Sequence, residues 1–350
     1  MRAAMFDSFG GEITVRDVPD PATPDDGVVI RVQATGICRS DWHGWMGHDP
    51  DVRLPHVPGH EFAGIVERAG PAVRRFGIGD RVTVPFCCGC GECEQCRAGF
   101  SNICDRYSQP GFTQWGSFAE LVAIGHADVN LVKLPDAVGF SAAASLGCRF
   151  ATSWRAVRAQ GRLAADEWVA VHGCGGVGLS AIMISAALGA HVIAIDIEST
   201  HLEMAARLGA EKVVNARTPG DVAASVRELS GGGVHLSLDA LGSAETCRNS
   251  VMSLRKRGRH VQVGLMTGND SAAPIPWSEL IGRELEIIGS HGLQASAYEE
   301  ILEMIIAGSL DPGRLVSRSI TLDAAAGELR RMGTFAGTGV TVIDSFSGGS

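Results

Sequence analysis

The sequence predicts an α/β protein, with a doubly wound parallel sheet inserted after a β-rich domain whose strands return at the end of the chain. Two observations predict this fold. From about residue 141 to 290, apolar strands alternate with helical stretches, which is typical of βαβ units. On both sides of this region, short β segments are separated by turns. We therefore expect a β-rich domain of residues 1–146 plus 291–350 and a parallel-sheet domain of residues 147–290.

The β-rich domain is predicted from three short segments and a loop. Residues 28–32, 61–66 and 80–85 have the composition of strands, with Pro and Gly clusters between them. An irregular, cysteine-rich loop follows at residues 86–107.

The parallel sheet is predicted from one clear unit and its repetitions. Residues 168–172 form an apolar strand, residues 177–188 have the spacing and small side chains of a packed helix, and residues 191–196 form the next strand. Further strands, with helical segments between most of them, are expected at residues 213–214, 235–239, 260–263 and 285–288. We then expect a helix at 297–307 and a last strand at 339–344 that returns to the β-rich domain.

Charge and hydropathy exclude several classes of partner. The net charge of -9 supports solubility and provides no basic surface for nucleic acid. No apolar run reaches the ~18–20 residues that span a bilayer, and the first residues lack the apolar core of a signal peptide. We therefore expect a cytoplasmic protein that binds neither nucleic acid nor a membrane. In that compartment the 10 cysteines indicate metal or redox chemistry rather than disulfides.

Four cysteines of the loop have the spacing of a closed metal site. In C-x2-C-x2-C-x7-C order they are Cys90, Cys93, Cys96 and Cys104. Four thiolates so spaced can surround a tetrahedral Zn²⁺, with Zn–S distances of ~2.3 Å, and leave no open position. The alternatives are buried free thiols, which the polar loop disfavours, and an iron–sulfur cluster, although nothing else indicates electron transfer. Cys87 and Cys88 lie off this spacing and are expected to pack.

A second group of side chains has the composition of an open zinc site. Catalytic zinc takes about three protein ligands and keeps one exchangeable position. Cys38 and His60 would supply a thiolate and an imidazole, and Cys148 is the best candidate for the third ligand. Glu61 could supply or exchange with a fourth. Taken singly, a cysteine is most often a small buried hydrophobic residue and a histidine a satisfied polar group, but their combination with the closed cluster favours metal.

A glycine-rich turn between a predicted strand and a predicted helix indicates a dinucleotide site. The turn has the spacing G-x-G-x-x-G. Gly173 permits the tight turn, Gly175 lets the backbone approach a pyrophosphate and Gly178 allows close helix packing. The first N–H groups of the helix, at Gly176 and Val177, would face the phosphates.

The residue at the end of the next strand predicts which dinucleotide binds. Asp196 follows Gly178 by 18 residues, and an acidic side chain there accepts hydrogen bonds from the ribose hydroxyls and repels a 2′-phosphate. Residues 197–200 include no Arg or Lys. We therefore expect NAD rather than NADP, the alternative being that Asp196 is a solvated strand end.

In their order along the chain, these motifs resemble the zinc-dependent alcohol dehydrogenases of the medium-chain dehydrogenase/reductase superfamily. The segment 36–43, the triplet 59–61, the four-cysteine loop and the glycine turn carry the resemblance, which covers essentially the whole chain. It implies a GroES-like catalytic domain that binds one catalytic and one structural zinc, with a Rossmann domain that binds NAD inserted after it.

The resemblance also implies roles for individual residues. The catalytic zinc ligands would be Cys38, His60 and Cys148. Asp41 would orient the imidazole of His60. Ser40 would take the alcohol proton and pass it through the cofactor ribose to His43. Further cofactor contacts are expected from Arg39 at the pyrophosphate and from Thr152, Val263, Gly264 and Leu265 near the nicotinamide.

The predicted function is the zinc-dependent oxidation of alcohols to aldehydes or ketones, and the reverse, by hydride transfer to NAD. Cys148 favours this branch, because polyol and threonine dehydrogenases usually have a glutamate in this region, although Arg149 and Phe150 depart from the small residues common there. Two alternatives remain, a zinc-dependent polyol or secondary-alcohol dehydrogenase and a catalytically silent relative that binds zinc and NAD. Phe86 and Trp45 are expected to line the channel for a small alcohol or aldehyde, and a homo-oligomer, dimer or tetramer, is expected.

Overall fold

The computed structural model describes residues 1–333 and 337–346, which form two compact units. The first unit contains the chain up to Ala151 together with the described residues from Gly292 onward, and the second runs from Thr152 to His291. Among the described residues, no helix has the length and apolarity needed to cross a bilayer.

The limits of these units differ by a few residues from the sequence-based limits at 146/147 and 290/291. The difference at the first limit is a helical turn, Leu146–Phe150, which belongs to the first unit. The Phe86 N–H donates to the Gly147 carbonyl at 2.9 Å. The Tyr298 hydroxyl donates to the Leu146 carbonyl at 3.1 Å. These hydrogen bonds attach the turn, which carries Cys148, to the β-rich unit.

In the second unit, an α-helix lies between each strand and the next. In chain order the strands are β1 (Arg2–Phe6), β2 (Ile13–Asp17), β3 (Val28–Ile37), β4 (Glu61–Ala69), β5 (Arg81–Thr83), β6 (Leu121–Ile124), β7 (Val132–Lys133), β8 (Trp168–His172), β9 (His191–Asp196), β10 (Lys212–Asn215), β11 (Val234–Asp239), β12 (Leu254–Gln262), β13 (Glu286–Gly289), β14 (Val316–Thr321) and β15 (Val340–Ser345). The α-helices are α1 (Arg39–Trp45), α2 (Glu94–Arg97), α3 (Ala127–Asn130), α4 (Phe140–Ala144), α5 (Ala151–Trp154), α6 (Gly176–Ala187), α7 (Ser199–Arg207), α8 (Val222–Leu229), α9 (Ala244–Met252), α10 (Trp277–Gly282), α11 (Tyr298–Ile306) and α12 (Ala325–Met332).

The first unit is built around a mainly antiparallel sheet. Its strand order is β14-β15-β3-β4-β5-β7, with β6 also paired to β3, and β1 and β2 form a separate antiparallel pair. Only β14 and β15 are parallel neighbours in this sheet as described. β15 pairs with β3, with Val342 opposite Gly36, so the C-terminal strand lies in the sheet of the first unit.

The second unit is a doubly wound parallel sheet, as the sequence predicts. Its strand order is β10-β9-β8-β11-β12-β13, and every neighbouring pair is parallel. The chain begins in the middle of the sheet at β8, runs outward to β10, and then crosses to the other side at β11. Ligands of such sheets bind beyond the carboxyl ends of the strands where the order reverses. Here that place lies beyond β8 and β11.

Each unit has its own apolar core. In the first unit, Val28, Ile30 and Val32 alternate along β3, so that they point to one face of the sheet and pack in one buried cluster. In the second unit, Ala170 of β8 and Ile193 of β9 pack in a cluster with residues of the covering helices.

Candidate zinc centres and dinucleotide turn

Cys38 lies at the junction between β3 and α1. It is the N-cap residue of α1, with extended backbone angles, and its side chain is buried. The Asp41 carboxylate accepts the Cys38 N–H at 2.9 Å, which is the reciprocal bond of a capping box. The cap therefore fixes the point at which the strand turns into the helix, and with it the position of the Cys38 sulfur.

The same carboxylate fixes His60. Its second oxygen accepts the Gly59 N–H at 3.0 Å and lies 2.9 Å from Nδ1 of His60. Asp41 and His60 are both buried. An Nδ1–H that donates to a carboxylate leaves the lone pair on Nε2, which is the arrangement used by histidines that bind metal. Asp41 thus holds the two predicted ligands Cys38 and His60 in one local network.

Cys148 completes the predicted open site. One candidate ligand atom from each of Cys38, His60, Glu61 and Cys148 lies within 4.8 Å of the others. Gly147 allows the turn that carries Cys148 to approach β4, because a Cβ at this position would stand 3.0 Å from Cα of Glu61. The structure therefore brings together four side chains that are up to 110 positions apart in the sequence (148 minus 38).

Glu61 is held by Arg149 in a buried ion pair. Its carboxylate accepts the Arg149 backbone N–H at 3.1 Å and the Nε–H at 2.9 Å, and a second guanidinium nitrogen donates to its other oxygen. The two side chains are 0% and 8% exposed. Gly36 makes room for the pair, since a Cβ there would lie 2.6 Å from Oε2 of Glu61. The large residue after Cys148, which departs from the family pattern, thus has a structural role.

The electrostatics of the open site favour an anionic sulfur. The neighbouring Cys148 thiol, aided by the charge of Arg149, holds the pKa of Cys38 well below its ordinary value despite burial. Conversely, the hydrogen bond with Cys38 and burial raise the pKa of Cys148. Burial raises the pKa of Glu61, although the Arg149 guanidinium opposes this change.

One buried atom tests whether these residues fit a zinc ion. Nε2 of His60 has no hydrogen-bond partner among the described residues, although the side chain is fully buried. A buried imidazole nitrogen without a partner is costly, and here it faces the ligand atoms of two cysteines. Sulfur and imidazole nitrogen are the donors that zinc prefers. The group therefore fits a zinc site with Cys38, His60 and Cys148 as ligands, and Glu61 is engaged by Arg149.

The closed cluster lies in the loop between β5 and β6. The four sulfur atoms of Cys90, Cys93, Cys96 and Cys104 lie within 4.8 Å of one another. The loop is anchored by Asn130, whose side chain accepts the Gly89 N–H at 2.8 Å and donates to the Gly89 carbonyl at 3.0 Å. Four sulfurs at these distances fit a tetrahedral zinc with no open position.

Backbone N–H groups of the loop point at the cluster sulfurs. Cys104 accepts from the N–H groups of Cys90 and Arg106, at 3.3 and 3.2 Å. The N–H groups of Glu92 and Cys93 donate to Cys90, at 3.5 and 3.4 Å, and lower the pKa of Cys90 to about 5. Donors arranged around sulfur stabilise thiolates, which are the form that binds zinc.

Cys87 and Cys88, which lie beside the closed cluster but off its spacing, pack as expected. Cys88 is part of the buried core of the first unit, and its thiol lies 3.7 Å from the Pro85 carbonyl. Cys87 is also buried, with its sulfur 3.5 Å from the Leu293 carbonyl. Neither belongs to a metal-ligand group of the described residues.

The glycine turn joins β8 to α6, and the backbone requires glycine at positions 173 and 178. Gly173 has φ +91°, and a side chain there would press on Leu241. A Cβ at Gly178 would lie only 1.8 Å from the Gly173 carbonyl oxygen. At Gly175, the N-cap of α6, a Cβ would meet no described atom within 4 Å, so this side of the turn is open. The N–H groups of Gly176 and Val177 begin α6.

Asp196 ends β9 beside this turn. Its carboxylate accepts the Cys174 N–H at 2.6 Å and the Glu198 N–H at 2.9 Å, and lies 3.3 Å from Nδ1 of His201. Donors from the glycine turn and from the segment after β9 therefore hold the carboxylate in place. Arg217 reaches the same loop and donates to the Ile197 carbonyl at 3.0 Å, which the sequence pattern does not reveal.

The segment after β12 lies at the same edge of the sheet. The N–H groups of Val263 and Gly264 donate to the Asp239 carbonyl, at 3.1 and 2.8 Å. Gly264 packs directly on Gly242, since a Cβ at Gly264 would lie 2.3 Å from the Gly242 nitrogen. Leu265 is 73% exposed. The structure therefore places residues 263–265 beyond the carboxyl end of β11, where the strand order reverses.

The remaining predicted residues lie as follows. Ser40 and His43 are half-buried and three positions apart on α1, so they share one face of the helix. Arg39 donates to the Met332 carbonyl at 2.8 Å and stacks over Trp42. Thr152 is buried on α5.

Of the two predicted channel residues, only Phe86 lies near the open site, with its ring centroid 6.3 Å from that of His60. Trp45 lies in the hydrophobic core, and its indole N–H donates to the Gly11 carbonyl at 2.9 Å. Sequence reasoning missed Phe112, whose ring is 5.3 Å from that of His60. Its separation of 52 positions from His60 left no local signal.

Comparisons with known proteins agree with the fold described above. Residues 24–136 match the alcohol dehydrogenase GroES-like domain, and residues 176–307 match the zinc-binding dehydrogenase model. An NAD-dependent alcohol dehydrogenase of Sulfurisphaera tokodaii is 32% identical over 98% of this chain and 99% of its own. The alcohol dehydrogenase TADH from Thermus sp. ATN1 has a TM-score of 0.91 and 31% identity, covering 99% of this chain and 100% of its own.

A zinc-binding dehydrogenase from Sinorhizobium meliloti 1021, whose structure contains NADP, has a TM-score of 0.87 and 29% identity over 98% of each chain. GroES-like and zinc-binding dehydrogenase domains in this order define a zinc-dependent oxidoreductase. The chain belongs to the zinc-dependent alcohol dehydrogenases of the medium-chain dehydrogenase/reductase superfamily.

Proposed function

We propose that the chain oxidises alcohols to aldehydes or ketones, and catalyses the reverse reaction, with a catalytic zinc and NAD. The observation that carries this proposal is the group of Cys38, His60 and Cys148, with the unpartnered Nε2 of His60 among two sulfurs. When bound, zinc acts as a Lewis acid on the alcohol oxygen and lowers its pKa, and NAD accepts the hydride.

The proposed site residues of the first unit have three roles. Cys38, His60 and Cys148 bind the catalytic zinc, and Asp41 keeps the Nε2 lone pair of His60 available for it. The four loop cysteines bind a structural zinc and hold the loop. Ser40 accepts the hydroxyl proton of the alcohol, and His43 conveys it toward solvent. Burial and the charge of Arg39 lower the pKa of His43, so that its neutral form is ready to receive a proton at neutral pH.

The residues proposed to hold the cofactor form a phosphate end, a ribose end and a nicotinamide end. Gly173, Gly175 and Gly178 shape the turn, and the N–H groups of Gly176 and Val177 bind phosphate. Asp196 accepts the hydroxyls of the adenosine ribose. Thr152, Val263, Gly264 and Leu265 contact the nicotinamide end.

A kinetic panel with metal analysis tests the proposed function. We expect two zinc ions per chain and turnover of simple alcohols and aldehydes, with a higher kcat/KM for NAD than for NADP. A single zinc would contradict one of the two sites. Turnover of sorbitol or a 2,3-diol well above that of simple alcohols would favour a polyol dehydrogenase, and no turnover with any of them would favour a catalytically silent relative.

Asp196→Asn tests the basis of the cofactor preference. Asn retains an acceptor for the Cys174 N–H but removes the charge that repels a 2′-phosphate. A hydrogen bond to a charged group contributes about 1.5–3 kcal/mol, so the ratio of kcat/KM for NADP to that for NAD is expected to rise by roughly tenfold or more. Arg217→Gln is a control at the same loop, and a ratio unchanged by Asp196→Asn would show that Asp196 does not select the cofactor.

We also propose that the chain forms a homo-oligomer through the second unit. There β13 is an edge strand of the described sheet, with one side of its backbone unpaired. On the preceding α10, Trp277 and Ile281 are 61% and 76% exposed and lie one turn apart. An edge strand beside exposed apolar side chains suits a second copy of the same chain. Sedimentation velocity should detect smaller species for Ile281→Asp but not for Ile78→Asp, a control residue that is also 76% exposed.

A further inference from the structure

A second histidine contacts the proposed relay residue. Nδ1 of His43 and Nδ1 of His48 lie 3.0 Å apart, with ring centroids 5.3 Å apart. His43 is half-buried, whereas His48 is exposed. The Trp42 ring packs edge-on against both imidazoles, at centroid distances of 4.9 and 5.5 Å. One end of the pair therefore lies on the helix that carries Ser40, and the other end meets solvent.

The backbone fixes the position of His48. After α1, the His48 N–H donates to the His43 carbonyl at 3.0 Å and the Gly47 N–H donates to the Gly44 carbonyl at 3.1 Å. Gly47 has φ +76°. This pair of bonds around a left-handed residue is the Schellman motif that ends many helices. In this motif the residue after the glycine lies beside the residue five positions earlier, where a hydrophobic contact is common. Here the contact is made by two imidazoles.

We propose that His48 is a proton-relay residue, which takes the alcohol proton from His43 and releases it to solvent. This role rests on the proposed function, because it extends the path that begins at Ser40 and His43. The two Nδ1 atoms can form a hydrogen bond only if one carries a proton and the other a lone pair. The proposed relay uses the tautomer in which His43 donates from Nδ1 to Nδ1 of His48, so that Nε2 of His43 is the atom that receives the proton from the substrate side.

The transfer balances at every atom. Nε2 of His43 forms a new N–H bond with the incoming proton, and the ring becomes a cation. The Nδ1–H bond of His43 then breaks as a new N–H bond forms at Nδ1 of His48. His48 finally loses its own Nε2 proton to water, so that one proton enters and one leaves. Between turnovers the original tautomers are restored in three steps: water protonates Nε2 of His48, the Nδ1 proton of His48 returns to Nδ1 of His43, and His43 loses its Nε2 proton to water.

The surroundings of His43 favour onward transfer. Burial, followed by the charges of Arg39 and His48, lowers the pKa of His43, while the Cys38 sulfur acts in the opposite direction. A protonated His43 is therefore short-lived at neutral pH and gives up its proton readily. The exposed His48 ring is in contact with the water that must receive it.

Replacing His48 with glutamine tests this role. The amide can still accept a hydrogen bond from His43, but it cannot pass a proton from one side of the side chain to the other. In single-turnover stopped-flow experiments on the zinc- and NAD-loaded enzyme in weak buffer, we expect His48→Gln to slow proton release to an indicator dye by on the order of tenfold. This effect is smaller than the 10²–10⁴ that general acid–base groups contribute. Added imidazole should restore the rate.

Controls separate this proposal from the proposed function. His191→Gln replaces a half-buried histidine of the second unit, one that pairs with Glu211 at 2.7 Å, and should leave proton release unchanged. Zinc content and NAD affinity of His48→Gln should equal those of the unmodified chain. Slow release in His43→Gln with normal release in His48→Gln would overturn the role of His48 and leave the proposed function intact. If the unmodified, zinc-loaded chain forms no NADH, the proposed function itself fails.

Discussion

His60→Ala should abolish alcohol oxidation while the chain remains folded. In the proposed function His60 supplies an imidazole nitrogen to the open site, and without it Cys38 and Cys148 would not hold the ion in the geometry that polarises the alcohol. Lewis-acid polarisation lowers the activation barrier by several kcal/mol. Since each 1.36 kcal/mol is a factor of ten, we expect kcat/KM to fall by about a thousandfold or more. Folding should survive because Asp41 still accepts the N–H groups of Cys38 and Gly59.

Cys93→Ser is the matched variant at the other zinc site. Both variants should lose about one zinc ion per chain by metal analysis, but from different places. Cys93→Ser removes a ligand that holds the loop, so the melting temperature should fall and the remaining folded enzyme should turn over nearly as before. Circular dichroism melting and steady-state kinetics on both variants separate these outcomes. If the two variants lose activity and stability to the same extent, the division into a catalytic and a structural site is wrong.

Arg149→Leu should be among the most destabilising single changes outside the zinc ligands. The change leaves the fully buried Glu61 carboxylate without the guanidinium that donates to both of its oxygens. Removing one partner of a buried ion pair typically lowers the free energy of unfolding by about 3–5 kcal/mol. The variant should therefore unfold at clearly lower denaturant concentration, as followed by tryptophan fluorescence.

Two further variants test whether the pair is the cause. In Arg149→Leu/Glu61→Leu the uncompensated charge is gone, so most of the lost stability should return. Arg162→Leu breaks an exposed pair with Glu286, whose side chains are 51% and 49% exposed, and should change the free energy of unfolding by less than about 1 kcal/mol. Equal losses for Arg149→Leu and the double variant would attribute the effect to packing rather than charge.

The same pair bears on the zinc ligand set. With Arg149 present, both oxygens of Glu61 are engaged by its donors. In the cobalt-substituted Arg149→Leu variant, the released carboxylate could bind the metal. A change in the visible spectrum would then report a changed ligand set at the open site, independently of turnover.

Local patterns were sufficient for much of the second unit. The strands β8 and β9 and the helix α6 begin and end within one residue of the predicted limits, because period and turn chemistry in this region agree with each other. The strands β1 and β2, by contrast, were not predicted. They pair with each other over short segments that carry no distinct local signal.

The two zinc sites differ in the same way, because only one of them has a local sequence signal. The spacing of Cys90, Cys93, Cys96 and Cys104 is a local property of one loop, so the sequence by itself indicates a closed site. The proximity of Cys38, His60 and Cys148 is not local. It depends on the approach of the turn after α4 to β4, which Gly147 permits and the hydrogen bond from Phe86 maintains.

By itself, the sequence determined the fold class, the glycine turn and the closed cysteine cluster, because each follows from residues close together in the chain, whereas the candidate ligands of the open site came from a combination of separate motifs. The tertiary structure alone decided that Arg149 holds Glu61, that Phe112 lies beside His60 and that Trp45 belongs to the core. It also placed His48 against His43, although Gly47 in the sequence permits the turn. The physical reason is that charge pairing, ring contact and burial depend on distances in space, which residue spacing controls only within a single turn or strand.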